Sequence, residues 1–172
     1  NDRQGARDAA SYLFALGHLR IGFVAGPEHC RSSRERELGY IDALAEHGLD
    51  TGADLVAQGN GSVAMGRDAG RLLLAVSPRP TAILVSSDEM AAGLLQAAHE
   101  QGVAVPGQLS IMGFGDTPLA EACWPPLTTM RLPWPLLGPS TKLFCFTLPC
   151  RSSTMRRRSG PYLPLRMRST CV

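Results

Sequence analysis

Two short polar segments could bind a ligand, because each one follows a predicted buried strand. Ser87 and Asp88 come just after the apolar run Ala82–Val85, and Asp116 comes just after Leu109–Phe114. Carboxylate and hydroxyl oxygens in these positions can form hydrogen bonds with ligand hydroxyls. Asp88 and Asp116 could instead act as a general acid–base pair. Ligand-binding carboxylates are the stronger interpretation, since the sequence supplies no nucleophile motif or metal beside them.

The same residues have a structural interpretation that leaves ligand binding open. Ser87 can cap the helix that follows the strand, and Asp88 in its first turn is favoured by the helix dipole. Capping and ligand contact can coexist at these two positions. Asp116 has a similar alternative, as a cap of the turn before Pro118.

Arg36 is the candidate cation of the site. It lies one turn into a predicted helix that begins at Ser32, with Glu35 at the capping-box spacing. A guanidinium group presents a fork of N–H donors that suits paired hydroxyls or a carboxylate. The alternative is a solvated arginine on a charged face shared with Arg34 and Glu37. Two further residues complete the candidate ligand-binding set, Ser33 and Asn60.

Enzyme chemistry is poorly supported. The four histidines lie in separate turns or helices without metal-ligand spacing, and no P-loop, nucleophile elbow or dinucleotide fingerprint is present. The five cysteines are odd in number and lack metal-type pairing, which favours a reducing cytoplasm. No apolar run approaches the length of a membrane span. We therefore expect a cytoplasmic protein that is not an enzyme, with no metal, no cofactor and no membrane partner.

The elements that position these residues alternate between helix and strand, roughly every 25–30 residues, which predicts a parallel sheet flanked by helices in the α/β class. Crossovers of this kind are right-handed, so the strand ends emerge at one edge, where open α/β sheets bind ligands. The predicted helices cover residues 1–18, 32–48, 63–76 and 88–102, and the predicted strands cover 21–25, 55–57, 82–85 and 109–114.

Charge divides the chain into two parts. The formal net charge of the 172 residues is +2, yet all 15 acidic residues lie before residue 122. Residues 134–172 contain seven Lys or Arg side chains, no acid and no helical periodicity. A basic arm can bind nucleic acid through phosphates. Scattered leucines, phenylalanines and prolines argue instead for out-of-frame or disordered sequence, so we interpret 134–172 as an atypical tail and 1–133 as the domain.

The stretch VSSDEMAAGLLQAAHEQGVAVPGQLSIMGFGDTPLAEACWPPLTTMR resembles the LacI/GalR family of bacterial transcription regulators, and the resemblance covers roughly residues 1–132. It implies a periplasmic-binding-protein-like type I (Rossmann-like) subdomain, here incomplete, that senses a sugar-like effector. Arg36 occupies the family position that reaches the effector. The resemblance also implies a homodimer, with candidate interface residues Leu94, Leu95 and Ala98, whose alternative role is packing on the sheet.

Several departures from the family qualify this interpretation. Gly115 replaces an aspartate that often holds the effector, and Gly61 lies near where relatives often carry an aromatic ring. The helix-turn-helix headpiece has no counterpart in these residues, so DNA contact is expected only through a headpiece outside them. A sugar-binding protein of a transport system is the alternative function, disfavoured by PPLTT and by the lack of an export signal.

The tail interpretation makes a testable prediction. Limited proteolysis is expected to remove residues 134–172, because the segment has no periodicity with which to bury its apolar side chains. The remaining body is expected to be only marginally stable. Protease resistance of the tail would contradict this interpretation, and so would salt-resistant, sequence-selective DNA retention.

Overall fold

The protein forms one twisted sheet with helices on both faces. The structure is a computed structural model that describes residues 2–49, 52–131 and 142–144. Its helices are α1 (Asp2–Ala15), α2 (Arg31–Glu46), α3 (Val63–Ala75), α4 (Asp88–Glu100) and α5 (Pro118–Ala122). Its strands are β1 (Ile21–Ala25), β2 (Val56–Gln58), β3 (Ala82–Val85), β4 (Ser110–Phe114), β5 (Thr128–Arg131) and β6 (Lys142–Phe144).

The strand order is β2-β1-β3-β4-β5-β6. The pairs from β2 to β5 are all parallel, which confirms the predicted fold class. β6 differs, because it pairs antiparallel with β5, opposing Leu143 to Met130. The sequence did not predict a strand at Lys142–Phe144, and the interpretation of residues 134–172 as an atypical tail stays a prediction. The rest of that tail lies outside the described residues.

Alternation along the strands divides the core into two layers. In β1, Ile21 and Phe23 face α1 and α2, whereas Val24 faces α3 and α4. In β3, Leu84 joins the first layer and Ile83 joins the second. Every residue of these strands is buried, as expected for a parallel sheet that is covered on both faces. Because both faces of these strands are buried, their sequences are continuous apolar runs rather than alternating ones.

Small residues allow the helices to pack closely on each face. A side chain added at Gly93 of α4 would overlap the backbone carbonyl of Val63, and one added at Gly66 of α3 would overlap the backbone of Met90. On the other face, a side chain at Gly39 of α2 would overlap the carbonyl of Arg3. These glycines allow the helix backbones to approach closely, in the pair α1–α2 on one face and in the pair α3–α4 on the other.

Most predicted elements are present, with local differences. β3 has its predicted bounds, whereas β2 lies one residue later than predicted. The predicted capping box on α2 is wrong, because the helix begins at Arg31 and its N-cap residue, Cys30, makes no side-chain capping bond. None of the helices in the described part is long and apolar enough to cross a membrane.

Candidate functional site

The carboxyl edge of the sheet gathers most of the predicted site residues. α2 brings Ser33 and Arg36 to the ends of β1 and β3, while the turn after β3 supplies Ser87 and Asp88. The turn after β4 supplies Asp116. This edge is where doubly wound sheets bind ligands, because strand ends, helix starts and loops converge there.

Arg36 is anchored on three sides. Its Nε donates a hydrogen bond of 2.8 Å to Asp2 Oδ1, and Nη2 lies 2.7 Å from the same oxygen. Nη1 donates to the carbonyl oxygen of Ser86 at 2.6 Å. The guanidinium carbon lies 4.2 Å from the centre of the Phe114 ring, at the end of β4. Arg36 is therefore a fixed cation at the edge of the sheet, not a mobile arginine on a solvated helix face.

Ser87 has its predicted structural role. It is the N-cap residue of α4, and its Oγ accepts a hydrogen bond of 3.3 Å from the backbone N–H of Met90. Its hydroxyl hydrogen is not needed for this bond, so it can be donated to a ligand while the cap is maintained. The capping prediction is confirmed, and ligand contact by Ser87 stays a prediction.

Asp88 has a role that the sequence interpretation did not anticipate. The residue is completely buried. Its Oδ2 accepts a hydrogen bond of 2.7 Å from the backbone N–H of Thr117, and its Oδ1 accepts one of 2.5 Å from the hydroxyl of Thr129. The carboxylate therefore ties the start of α4 to the turn after β4 and to β5. This geometry makes Asp88 a positioning residue and removes it from the set that faces a ligand.

The neighbours of this carboxylate have to be small. A side chain at Gly113 would overlap Asp88 Oδ1, and one at Gly115 would lie 3.3 Å from Oδ2. Gly115 also adopts a φ of +135°, which favours glycine. These two constraints give a physical reason for a glycine at position 115.

Asp116 is paired with a cation. It has a φ of 56°, in the left-handed region that aspartate tolerates better than most residues, and its backbone N–H donates to Thr129 Oγ1 at 3.1 Å. Its carboxylate forms an ion pair with the guanidinium of Arg131 on β5. The Asp116 side chain is only 9% exposed, whereas the Arg131 side chain is 46% exposed. Asp116 thus helps to fix the turn, and its charge is compensated.

Hydroxyl groups collect around Gly26, at the end of β1. A side chain at this position would overlap the Ser33 hydroxyl and would lie 3.0 Å from the Ser86 hydroxyl. Both serines are buried, and Ser86 Oγ has no hydrogen-bond partner among the described residues. The Gly26 carbonyl accepts a hydrogen bond of 2.5 Å from Gln58 Nε2. Glycine here leaves room for the two hydroxyls beside Arg36.

Asn60 lies in the turn after β2 and is exposed. Its Oδ1 accepts hydrogen bonds from the backbone N–H of Ser62 at 3.0 Å and from the Ser62 hydroxyl at 2.7 Å. Ser62 in turn caps α3, accepting a hydrogen bond from the Met65 backbone. Asn60 thus holds a local turn through its side-chain oxygen, and its contact with a ligand stays a prediction.

The most informative residues of the site were not predicted. Asp2 is separated from Arg36 by 34 positions on another helix, so no local pattern pairs them. Thr129 is likewise distant from Asp88 in sequence. Phe114 could have been found, because an aromatic ring at the end of a predicted strand stands beside the candidate loop.

A separate groove runs along the outer face of α4, and it changes the interface prediction. Leu94 and Ala98 are completely buried against the sheet, so the predicted interface role is wrong for both and their alternative role in packing is correct. Leu95 is partly exposed and lines the groove, which has a volume of about 770 Å³. Trp124 stands at the groove with 90% of its surface exposed. Cys123 also lines the groove. Burial, together with the negative charge of Asp88, raises the pKa of its thiol.

Metal chemistry finds no support in the part of the chain that the structure describes. There, no group of three or more His, Cys, Asp or Glu side chains could hold a metal ion. What the edge offers is a guanidinium, the hydroxyl of Ser87 and the ion-paired carboxylates of Asp2 and Asp116. This set suits recognition of a polar small molecule.

The role of Asp88 can be tested by Asp88→Asn. We expect a loss of about 1.5–3 kcal/mol in the free energy of unfolding, because two charge-assisted hydrogen bonds are weakened and an amide donor faces a donor. Urea unfolding measures the loss. Asp68→Asn is the matched control, since Asp68 is 53% exposed in its surface ion pair with Arg71 and is expected to change stability by less than about 0.5 kcal/mol. Equal stability of the two variants would contradict the structural role of Asp88.

Comparison with known proteins places this geometry in a family. Residues 10–140 match the family described as periplasmic binding protein-like domain. The transcriptional repressor CytR of Escherichia coli strain K12 is 41% identical over 128 residues, which make up 74% of this chain and 38% of CytR. The chain thus spans about two fifths of the length of such curated relatives.

Solved structures agree with this assignment. The Escherichia coli transcriptional repressor AscG is 37% identical, with a TM-score of 0.74 over 77% of this chain and 48% of the AscG chain. The transcriptional regulator CelR, solved as a complex with cellobiose, is 32% identical, with a TM-score of 0.75 over 77% of this chain and 41% of the CelR chain. The chain therefore belongs to the periplasmic binding protein-like domain family, and its relatives are transcriptional regulators of the LacI/GalR group.

Proposed function

We propose that residues 1–133 are the effector-sensing part of a LacI/GalR-type transcriptional regulator, and that Arg36 contacts a sugar-like effector at the carboxyl edge of the sheet. The observation that carries this proposal is the anchored guanidinium, which donates a hydrogen bond to the carbonyl of Ser86 at the end of β3. A fixed donor group loses little conformational entropy when it binds a ligand. Ser87 and Asp116 border the same edge, and Asp88 acts through the turns that it holds.

The relatives support regulation over transport or catalysis. The matched proteins are transcriptional regulators, and one of them is solved with the sugar cellobiose. Sugars present several hydroxyls that match a guanidinium and serine hydroxyls. In this proposal DNA is bound through a headpiece outside the chain. The effector acts by stabilising one of two arrangements of the regulator, as required for any coupling between two sites.

The ligand role of Arg36 can be tested by Arg36→Ala. We expect sugar binding to weaken by at least about tenfold, because a charge-assisted hydrogen bond contributes about 1.5–3 kcal/mol. Ligand-detected NMR with cellobiose and a panel of monosaccharides measures the change.

Arg3→Ala is the matched control for this test. Arg3 also lies in an ion pair between α1 and α2, with Asp42, but at the exposed surface, and its loss should leave binding unchanged. Equal binding by both variants would exclude Arg36 as a ligand contact. Arg36→Lys should recover only part of the affinity, because an ammonium group lacks the planar fork.

We further propose that a second copy of the chain covers the groove along α4, giving a homodimer. Leu95 and Trp124 are apolar, and the indole of Trp124 is exposed almost entirely to solvent. Isolated exposed apolar residues are ordinary, but an aromatic side chain beside an apolar groove is typical of an interface. The corrected interface keeps Leu95 from the predicted set and replaces Leu94 and Ala98 with Trp124.

The interface can be tested by Leu95→Glu, which places a charge in the groove. We expect the dimer to dissociate at least about tenfold more readily, because the carboxylate would be buried without a partner. Sedimentation velocity over a concentration series measures this. Leu72→Glu is the control, since Leu72 is 67% exposed on α3 and outside the groove. A monomeric parent chain at high concentration would refute the proposal.

A further inference from the structure

We infer that Asp2 is a specificity-determining residue that makes the site selective for uncharged effectors over anionic ones. The inference rests on the proposed function, because it concerns the ligand of the same site. It goes further by naming the charge class of that ligand. The starting point is the ion pair between Asp2 and Arg36, which the sequence does not reveal.

The ion pair between Asp2 and Arg36 is partly buried at the candidate ligand site, so its charges act on a ligand with little screening. Asp2 Oδ1 lies within 2.8 Å of Nε and 2.7 Å of Nη2 of Arg36. The two side chains are only 26% and 18% exposed, respectively. Partly buried charges are screened less by water and salt than surface charges are. The positive charge of Arg36 is thus compensated within the site, before any ligand arrives.

Other charges at the edge do not restore an excess of positive charge. The carboxylate of Asp116 balances the guanidinium of Arg131. Beside Gly26, the carboxylates of Glu28 and Glu37 line the same pocket as Arg34. An anionic group beside Arg36 would lie close to the carboxylate of Asp2, which disfavours it.

The groups that remain available are suited to neutral partners. Asp2 and the Ser86 carbonyl occupy three of the five N–H groups of Arg36, leaving one on each terminal nitrogen. These two N–H donors belong to a cation whose charge Asp2 already compensates, and they match the hydroxyl, ether or carbonyl oxygens of a sugar. A carboxylate or phosphate would be matched better by an arginine without a neighbouring carboxylate, because the charge would then be uncompensated and the fork free for a bidentate contact.

The test compares neutral and acidic forms of the same sugar on the full chain. The probes are glucose with glucuronate, galactose with galacturonate, and ribose with ribose 5-phosphate, measured by ligand-detected NMR at fixed ionic strength. We expect the parent chain to prefer the neutral member of any pair that binds by at least about tenfold. Asp2→Asn should shift this ratio toward the acidic member by about tenfold, since it removes one compensating charge without changing the shape of the side chain.

Asp42→Asn is the matched control for this substitution. It also removes the carboxylate of an Arg–Asp pair between α1 and α2, but Arg3 and Asp42 lie at the exposed surface. The control should leave the neutral-to-acidic ratio unchanged, which separates a local effect from a change in overall charge or in helix packing.

Each other outcome is decisive. A parent chain that prefers glucuronate, galacturonate or ribose 5-phosphate overturns the inference while supporting the effector site. An unchanged ratio in Asp2→Asn, or the same shift in Asp42→Asn, also overturns it. Failure of every probe to bind the parent chain refutes sugar-like effector binding by this chain, and with it the inference.

Discussion

The buried carboxylate of Asp88 is the constraint on which the edge of the sheet depends. A charge with no exposure to water is tolerated only when hydrogen bonds replace its hydration. The Thr117 N–H and the Thr129 hydroxyl supply these bonds, and they come from two other segments of the chain. The start of α4, the turn after β4 and β5 therefore have to assemble together. Any arrangement that separates them leaves an unpaired buried charge.

This requirement explains the residue sizes nearby. Gly113 and Gly115 leave space for the Asp88 carboxyl group, and Gly26 leaves space for two serine hydroxyls at the next strand end. Small residues thus occur where the backbone approaches polar groups, whereas larger apolar residues fill the two faces of the sheet. The polar edge and the apolar core are separated along the same strands. The end of β4 illustrates the change from core to edge. The ring of Phe114 is buried and packs against the guanidinium of Arg36, and the next residue, Gly115, is exposed in the turn.

The sequence predicted what is local and periodic. The doubly buried strand Ala82–Val85, the cap at Ser87 and the parallel sheet follow from apolar runs, capping preference and the alternation of elements. Two kinds of feature could not be read in this way. The pair between Asp2 and Arg36 joins helices whose relative position is set by the whole sheet. The distinction between Leu94 and Leu95 depends on which side of α4 faces the sheet, and helical spacing alone placed both on one apolar face.

The Arg36 anchor and the Asp88 network meet in the segment between β3 and α4. Arg36 holds the carbonyl of Ser86, Ser87 caps α4, and Asp88 holds the next turn. A ligand bound as proposed would therefore contact a segment that is continuous with α4. The same helix also reaches the groove, because Leu95 lies on α4 two turns after Asp88 and lines the groove. At Gly66 and Gly93 the backbones of α3 and α4 pack closely, so a shift of α4 would have to be accommodated by α3. In the proposed function, effector contact and subunit contact therefore share α4, and a differential contact at its first turn is what would bias the arrangement of the subunits.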